Sequence, residues 1–342
     1  MMLRFACDYQ EGCIPAILDR LIETNLVQVA GYGEDPFAEN ARRIIREACG
    51  CPQADVHFFA GGTQTNAVTI HGLLTSYEGV IAADTGHVNG HEAGAVEARG
   101  HKVITLPGID GKLTAEAVRT WMEAFLDDDS RDHVVQPGMV YVSQPTELGT
   151  LYSRAELAAI AETAHAFGLK LFVDGARLAY GLAAKENDVT LEDLAKLSDA
   201  FYIGGTKCGG LIGEALVVPN PKVLPHFFTT MKQQGAVLAK GRLVGITFEV
   251  LMSDNRYVEA GRHGVELAQR LKRALLEKGY ELFVDTPTNQ IFALLDQETC
   301  DRLSEKFVFS NWQRVADGRR VVRFCTSWAT DPAAVDELIA AL

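Results

Sequence analysis

Clustered basic charge, long apolar runs and ordered cysteine spacings are all missing from this sequence, and each absence removes a class of function. Lys and Arg together number 32 against 45 Asp and Glu, which gives a net charge of −13 and a pI near 5.2. Phosphate backbones are neutralised by grouped Lys and Arg, so nucleic acid is not an expected partner. No apolar stretch reaches the ~18 residues of a membrane span, so a membrane is not an expected partner either. The seven cysteines (Cys7, Cys13, Cys49, Cys51, Cys208, Cys300 and Cys325) follow no metal-site rhythm. One residue separates Cys49 from Cys51, not the two-residue gap of a zinc or redox pair. Free thiols in a reducing cytoplasm are the simplest expectation. The opening MMLRFACDYQEG has no apolar core and meets acidic residues early, so it is not read as a signal peptide. Internal repeats and low-complexity segments are absent as well.

What is present is an ordinary globular composition, 47% hydrophobic and 23% charged over 342 residues. That length suggests about two domains and a large core. From about residue 38 to residue 220, strand-like runs alternate with helix-like ones. Strands are expected at Ala54–Ala60, Gly79–Ala83, Lys102–Leu106, Met139–Ser143, Leu169–Val173, Ala200–Ile203 and Ala215–Val218. Helices are expected after GGTQTN (Gly61–Asn66), over the EAGAVEARG run that begins at Glu92, over Leu113–Phe125 and after Ser153, where Glu156 completes a capping box. This alternation predicts an α/β fold with a largely parallel or mixed sheet covered on both faces. After about residue 240 the texture changes. Leu243–Glu277 reads as one long proline-free helix, and short strands and helices follow it. The expected division is a large domain over 1–240 and a smaller C-terminal α+β domain over 241–342, with residues 1–15 able to pack with the smaller one.

Ligands of open α/β sheets sit off the carboxyl ends of the strands, and the candidate chemistry falls there. Lys207 lies in GGTKCGG after a strand. Burial in such apolar, glycine-lined surroundings lowers an ammonium's pKa and yields an amine nucleophile; the plain alternative is a loop lysine snorkelling to water. GGTQTN offers a helix start that can cradle an anion, or a plain βα turn with a Thr cap. Asp174 ends its strand and can hold a protonated pyridine nitrogen, or cap the next helix. His87 can stack on a flat ring, or simply begin a helix. The pair His87 and His91 has metal-ligand spacing, but Gly90 lies inside it and a helix would turn Glu92 away, so no metal site is expected. Arg323 lies mid-strand in an apolar run and needs a carboxylate, either a substrate's or that of an internal Asp or Glu. Together these residues supply what pyridoxal phosphate chemistry on amino acids requires.

The motifs DYQEG near the start, GYGEDP (Gly31–Pro36), GGTQTN, the His87 block ending HEAGA, VDGARL (Val173–Leu178) and the Thr206–Lys207 pair carry a family resemblance over nearly the whole chain. The sequence resembles the threonine aldolase and β-eliminating lyase family of fold-type-I pyridoxal-phosphate enzymes. The resemblance implies an aspartate-aminotransferase-like large domain with a seven-stranded, mainly parallel sheet. It implies that Lys207 holds the cofactor, Asp174 its ring nitrogen and His87 its ring face. Gly61, Gly62, Thr63 and Thr206 would bind its phosphate. Arg177 and Arg323 would grip the substrate carboxylate, with Asp8 and Tyr32 also on the substrate side. It implies self-association as a dimer or tetramer with the active site at a subunit boundary, where Lys240, Lys232 or Arg242 would reach a neighbour's phosphate. One departure stands out. Relatives carry a second active-site His where this chain has Gln144, Pro145 and Thr146; His91 or Glu11 would have to compensate. The implied reaction is cleavage of the Cα–Cβ bond of a threonine-like amino acid to glycine and an aldehyde. The alternatives are β-elimination, transamination or racemisation with the same cofactor and, more remotely, cofactor binding without catalysis.

Overall fold

The computed structural model describes residues 2–342. Its centre is the expected seven-stranded sheet. Across the sheet the strands run Asp55–Phe59, Glu214–Val218, Ala200–Gly204, Lys170–Asp174, Gln136–Ser143, Glu78–Ala83 and Val103–Leu106. Six point the same way. Glu214–Val218 is antiparallel to both of its neighbours. The middle strands are near-continuous apolar runs buried on both faces, the pattern of a covered parallel sheet. Glycine is required where the sheet turns into the site: a Cβ on Gly175 would lie 1.9 Å from the Tyr202 carbonyl oxygen. That close approach brings the ends of the Lys170–Asp174 and Ala200–Gly204 strands together.

A second, antiparallel sheet of four strands runs Ser310–Arg314, Arg320–Cys325, Gln290–Leu295 and Glu281–Val284. Leu3–Arg4 joins the same end of the molecule by pairing in parallel with Phe307–Val308. The helix Pro332–Ala341 closes the described chain, capped by Asp331. The Ser153–Glu156 capping box opens the helix Arg154–Ala166 as expected.

Three local expectations are corrected. The long helix is two, Arg242–Leu251 and Arg256–Glu277. They are separated where Asp254 and Asn255 take left-handed φ values of 54° and 59°, which ends a right-handed helix. The Arg242–Leu251 helix packs on Pro36–Ala48, so closely that a Cβ on Gly245 would lie 2.7 Å from Ala38 Cα. The run after Glu92 forms only a short 3₁₀ turn, Glu97–Arg99, because Ala93 and Gly94 both have positive φ. GGTQTN is not a loop before a helix but its first turn, since the helix spans Gly62–Leu73.

Candidate active site

Beyond the carboxyl ends of the central strands lies a cavity of about 270 Å³ lined by Gly61, Gly62, Thr63, His87, Asp174, Arg177, Thr206 and Lys207, among others. It adjoins a second of about 410 Å³ that shares His87, Arg177 and Lys207 and adds His91, Trp312 and Arg323. Eight of the residues singled out in the sequence therefore converge on the first cavity, and Arg323 stands at the rim between the two sheets.

Lys207 is not among the lysines held in ion pairs, which are Lys112, Lys196, Lys272 and Lys306. Burial lowers its pKa, and the charge of Arg177 adds to that effect against the opposing pull of Asp8, Asp174 and Glu214. Its own carbonyl accepts a hydrogen bond of 2.6 Å from the Tyr180 hydroxyl, which fixes the turn while leaving the amine at the cavity.

Asp174 is 3% exposed. Its Oδ2 accepts from the Tyr141 hydroxyl at 2.5 Å and from Asn66 Nδ2 at 2.9 Å, and its Oδ1 accepts from the Ala176 N–H. Burial alone would raise its pKa. The charge of His87 and hydrogen bonds from Tyr141, Tyr202 and Asn66 outweigh burial and hold it below the usual value. A carboxylate kept ionised in a dry pocket is a strong partner for a cationic ring N–H.

His87 opens a single helical turn, His87–Gly90, and its Nδ1 lies 2.7 Å from Glu92 Oε1. The expectation that Glu92 points away is thus overturned. The helix ends at Gly90, and the chain folds Glu92 back to anchor the imidazole. Asn66 Nδ2 donates to the same Glu92 oxygen at 2.7 Å, so one amide bridges the partners of His87 and Asp174. No group of three or more His, Cys, Asp and Glu suited to a metal ion occurs among the described residues.

Arg323 donates to Gln290 Oε1 at 3.1 Å, to the Ala6 carbonyl at 2.8 Å and to Ser310 Oγ at 3.3 Å. None of these is a carboxylate, so the internal ion pair considered for it is not formed. Its Nε is buried without a partner, and its guanidinium carbon lies 5.6 Å from the Trp312 ring centre. A cation so placed lacks only an anion.

Other positions differ from expectation. Asp8 is fully buried and lines neither cavity: it accepts from Arg177 Nε at 2.7 Å, Arg177 Nη2 at 3.0 Å and Asn289 Nδ2 at 2.9 Å. It holds Arg177 in place and is closed off from both cavities. Tyr32 lines a separate cavity with Arg42, Arg46 and His57. Lys240 lines another, beside Leu21 and Val27. Neither reaches the Lys207 cavity of its own chain. At the departure, Gln144 is spent on both backbone groups of Tyr152, and the Thr146 hydroxyl is bonded to that of Thr150. Pro145 lines the first cavity without a polar side chain, and the titratable groups that face the cavities there are His91 and Glu147. Burial lowers the pKa of His91, and the charges of His87, Arg323, Arg177 and Lys207 act the same way, which favours its neutral form. Burial raises that of Glu147, which accepts from Ser143 Oγ at 2.6 Å. Glu11 instead lies against Ser327.

The β-eliminating lyase family matches residues 5–298. The chain belongs to that family. Among its relatives is a low specificity L-threonine aldolase of Pseudomonas sp., 30% identical over 347 residues, covering 98% of this chain and 96% of the relative. The structure of Leishmania major threonine aldolase superposes with a TM-score of 0.95 at 43% identity, over 99% of this chain and 98% of that one. Oryza sativa TDC, solved with PLP and tryptamine, has a TM-score of 0.76 at 16% identity over 99% of this chain and 82% of that one, a likeness of fold alone. The architecture is that of fold-type-I pyridoxal-phosphate enzymes.

The site also uses residues to which the sequence assigned no role: Asn66, which lies within GGTQTN, Glu92, which was expected to point away, and Tyr141, Glu147, Glu214 and Trp312. Asn66 had a signal, being a polar residue one helical turn after Gly62. The carboxylates had none, because only the fold brings them to the site.

Proposed function

We propose that this chain is a pyridoxal-phosphate-dependent lyase cleaving the Cα–Cβ bond of a threonine-like β-hydroxy-α-amino acid to glycine and an aldehyde. The observation that carries this reading is the convergence of an amine free of ion pairs, Lys207, a carboxylate held ionised, Asp174, and a cation without a carboxylate, Arg323, on adjoining cavities.

The residues present fit the cofactor. The 12-residue helix Gly62–Leu73 starts at the cavity with no side-chain cap, so its first N–H groups are available to a phosphate. Thr63 and Thr206 add hydroxyls. Lys207 would hold the aldehyde carbon, Asp174 the ring nitrogen and His87 a ring face. The bound cofactor supplies an electron sink for the pair of electrons left at Cα.

The chain's own groups do the rest. Asp174 keeps a proton on the ring nitrogen. Arg323, backed by Arg177, binds and orients the α-carboxylate. His91, favoured in its neutral form, lies beside His87 and Trp312, with ring centres 5.7 Å from each; it takes the proton of the β-hydroxyl as the aldehyde leaves, and a proton returned to Cα then gives glycine. It thus fills the place left open at Gln144–Thr146. Trp312 and the small sheet cover this side of the site and limit water.

We propose further that the chain self-associates, that it works in the cytoplasm, and that a large N-terminal unit and a smaller C-terminal one divide the labour between cofactor and substrate. No helix among the described residues is long and apolar enough to cross a membrane.

The test is a panel of threonine, allo-threonine and phenylserine in both enantiomers, read by glycine and aldehyde release. Wild-type protein should turn over at least one member, and Lys207→Ala should lose both turnover and the visible band that borohydride traps. A band unchanged in Lys207→Ala, or ammonia and oxo-acid released in place of glycine, would reject the reading.

A further inference from the structure

Glu214 has no part in that reaction, yet the fold places it at the phosphate end of the cavity. It is the first residue of the single reversed strand, in register with Phe59 on one side and Gly204 on the other. Reversal puts its side chain at the carboxyl edge of both neighbours. It therefore stands between the two loops that line the cradle, Gly61–Thr63 after one strand and Thr206–Lys207 after the other. It is 4% exposed and lines the same cavity. The Gly205 N–H donates to its Oε2 at 2.9 Å, and the Thr206 hydroxyl, which accepts from the Gly213 N–H at 3.0 Å, lies close by.

A carboxylate at this point is a problem for an incoming phosphate dianion. The groups facing Glu214 are Lys207, Asp174, Cys208, Tyr202 and Tyr257. From the Arg242–Leu251 helix, Val244, Thr247 and Phe248, none of them charged, approach Gly213, Gly210 and Gly205. Lys207 is the one cation among these groups, and its amine is assigned to the cofactor's aldehyde. Two anions in so dry a pocket would repel strongly, whereas a neutral carboxyl has an O–H to donate. Burial lifts the Glu214 pKa to about 7, so its proton is available in the working range.

We propose that Glu214 is a proton-carrying ligand of the cofactor's phosphate, taking a proton from solvent as the phosphate binds and donating that O–H to a phosphate oxygen. The proposal rests on the reading of this cavity as the pyridoxal-phosphate site. Binding of phosphate above neutral pH is then coupled to uptake of one proton, and affinity falls by about tenfold per pH unit there.

Calorimetry in buffers of different ionisation heat measures the coupling, with inorganic phosphate and pyridoxal phosphate as separate probes on cofactor-free protein between pH 6 and 9. Inorganic phosphate forms no bond to Lys207, so it leaves out the proton change of that step. At pH 8, where the free phosphate is already a dianion, the wild-type protein should take up nearly one proton per site. Glu214→Gln keeps a donor and cannot titrate; it should bind with no uptake and a flat pH profile. Uptake retained in the Gln variant overturns the proposal. Zero uptake in the wild-type protein overturns it whatever the variant does. Failure of pyridoxal phosphate to bind at all would instead overturn the cofactor reading, so the two failures are distinct.

Discussion

Asp8 and Arg177 lie 169 residues apart in sequence and form the buried ion pair of the site, with Asn289 as a third member. Such a pair adds little net stability when intact, because both ions have left water. Removing one member strands the other, at a cost of about 3–5 kcal/mol. Asp8→Ala should therefore destabilise the fold by roughly that amount, whereas Asp8→Asn, which keeps the shape and one acceptor, should cost less. The pH dependence follows from the same contacts. Burial pushes the Asp8 pKa up, but the charges of Arg177 and Lys207 and the hydrogen bonds from Arg177 and Asn289 win, so it lies below the ordinary value of 3.8. The unfolded chain then binds the proton first. Asp8 contributes stability above about pH 4 and loses it as pH falls through its lower folded value. Urea midpoints between pH 2 and 6 should show an acid-side decline that is shallower in Asp8→Asn. An identical decline in both proteins would mean that the pair carries no linked charge.

At the scale of elements, the alternation of strand and helix was legible because a covered parallel sheet writes itself as short apolar runs such as LKLFV and AFYIG, bounded by Gly and polar caps. The ends of those runs were legible as a site for the same reason, since Lys207, Asp174 and Gly62 each follow one. The supporting carboxylates were not. Glu92 reaches His87 only because a helix stops after one turn, and Glu214 faces the cradle only because one strand is reversed. Neither event has a periodic signature. The break at Asp254–Asn255 was missed because the flanking run keeps its helical period and lacks proline. Asn tolerates the left-handed region better than most residues, and Gly better still. Asn255→Gly should leave stability within about 0.5 kcal/mol of wild type, whereas Asn255→Ala should cost about 1–2 kcal/mol, both read from urea midpoints. A more stable Ala variant would show that the chain can run on as one helix and that the break is not imposed here. The Arg242–Leu251 helix packs on Pro36–Ala48, so we propose that the smaller unit begins within Arg256–Glu277.

For the whole molecule the question is where the phosphate end finds its cations, since Lys207 and Arg177 are the only Lys and Arg lining the cavity of a single chain. Of the three candidates, Arg242 is spent on the carbonyls of Val27 and Thr24, at 2.6 and 2.7 Å. Lys232 sits 4.0 Å from the centre of the Tyr32 ring. Lys240 is exposed, belongs to none of the ion pairs, and borders a cavity lined by Leu21 and Val27. Nearby, Leu26 is 90% and Ile22 76% exposed, an amount of bare apolar surface that a monomer rarely leaves to water. These facts support a second copy covering this face, with Lys240 reaching the copy's cradle. Complementation tests it. Lys207→Ala lacks the amine but keeps Lys240, and Lys240→Ala lacks the reaching cation but keeps Lys207. In a hybrid dimer one site inherits both defects and the other inherits neither. Half the dimers are hybrids after random exchange, so mixing two impaired variants should restore up to about a quarter of wild-type activity. Cofactor affinity should recover in the same fraction of sites. If each site is built from one chain, mixing gives only the average of the two variants, and Lys240 has no place in the chemistry.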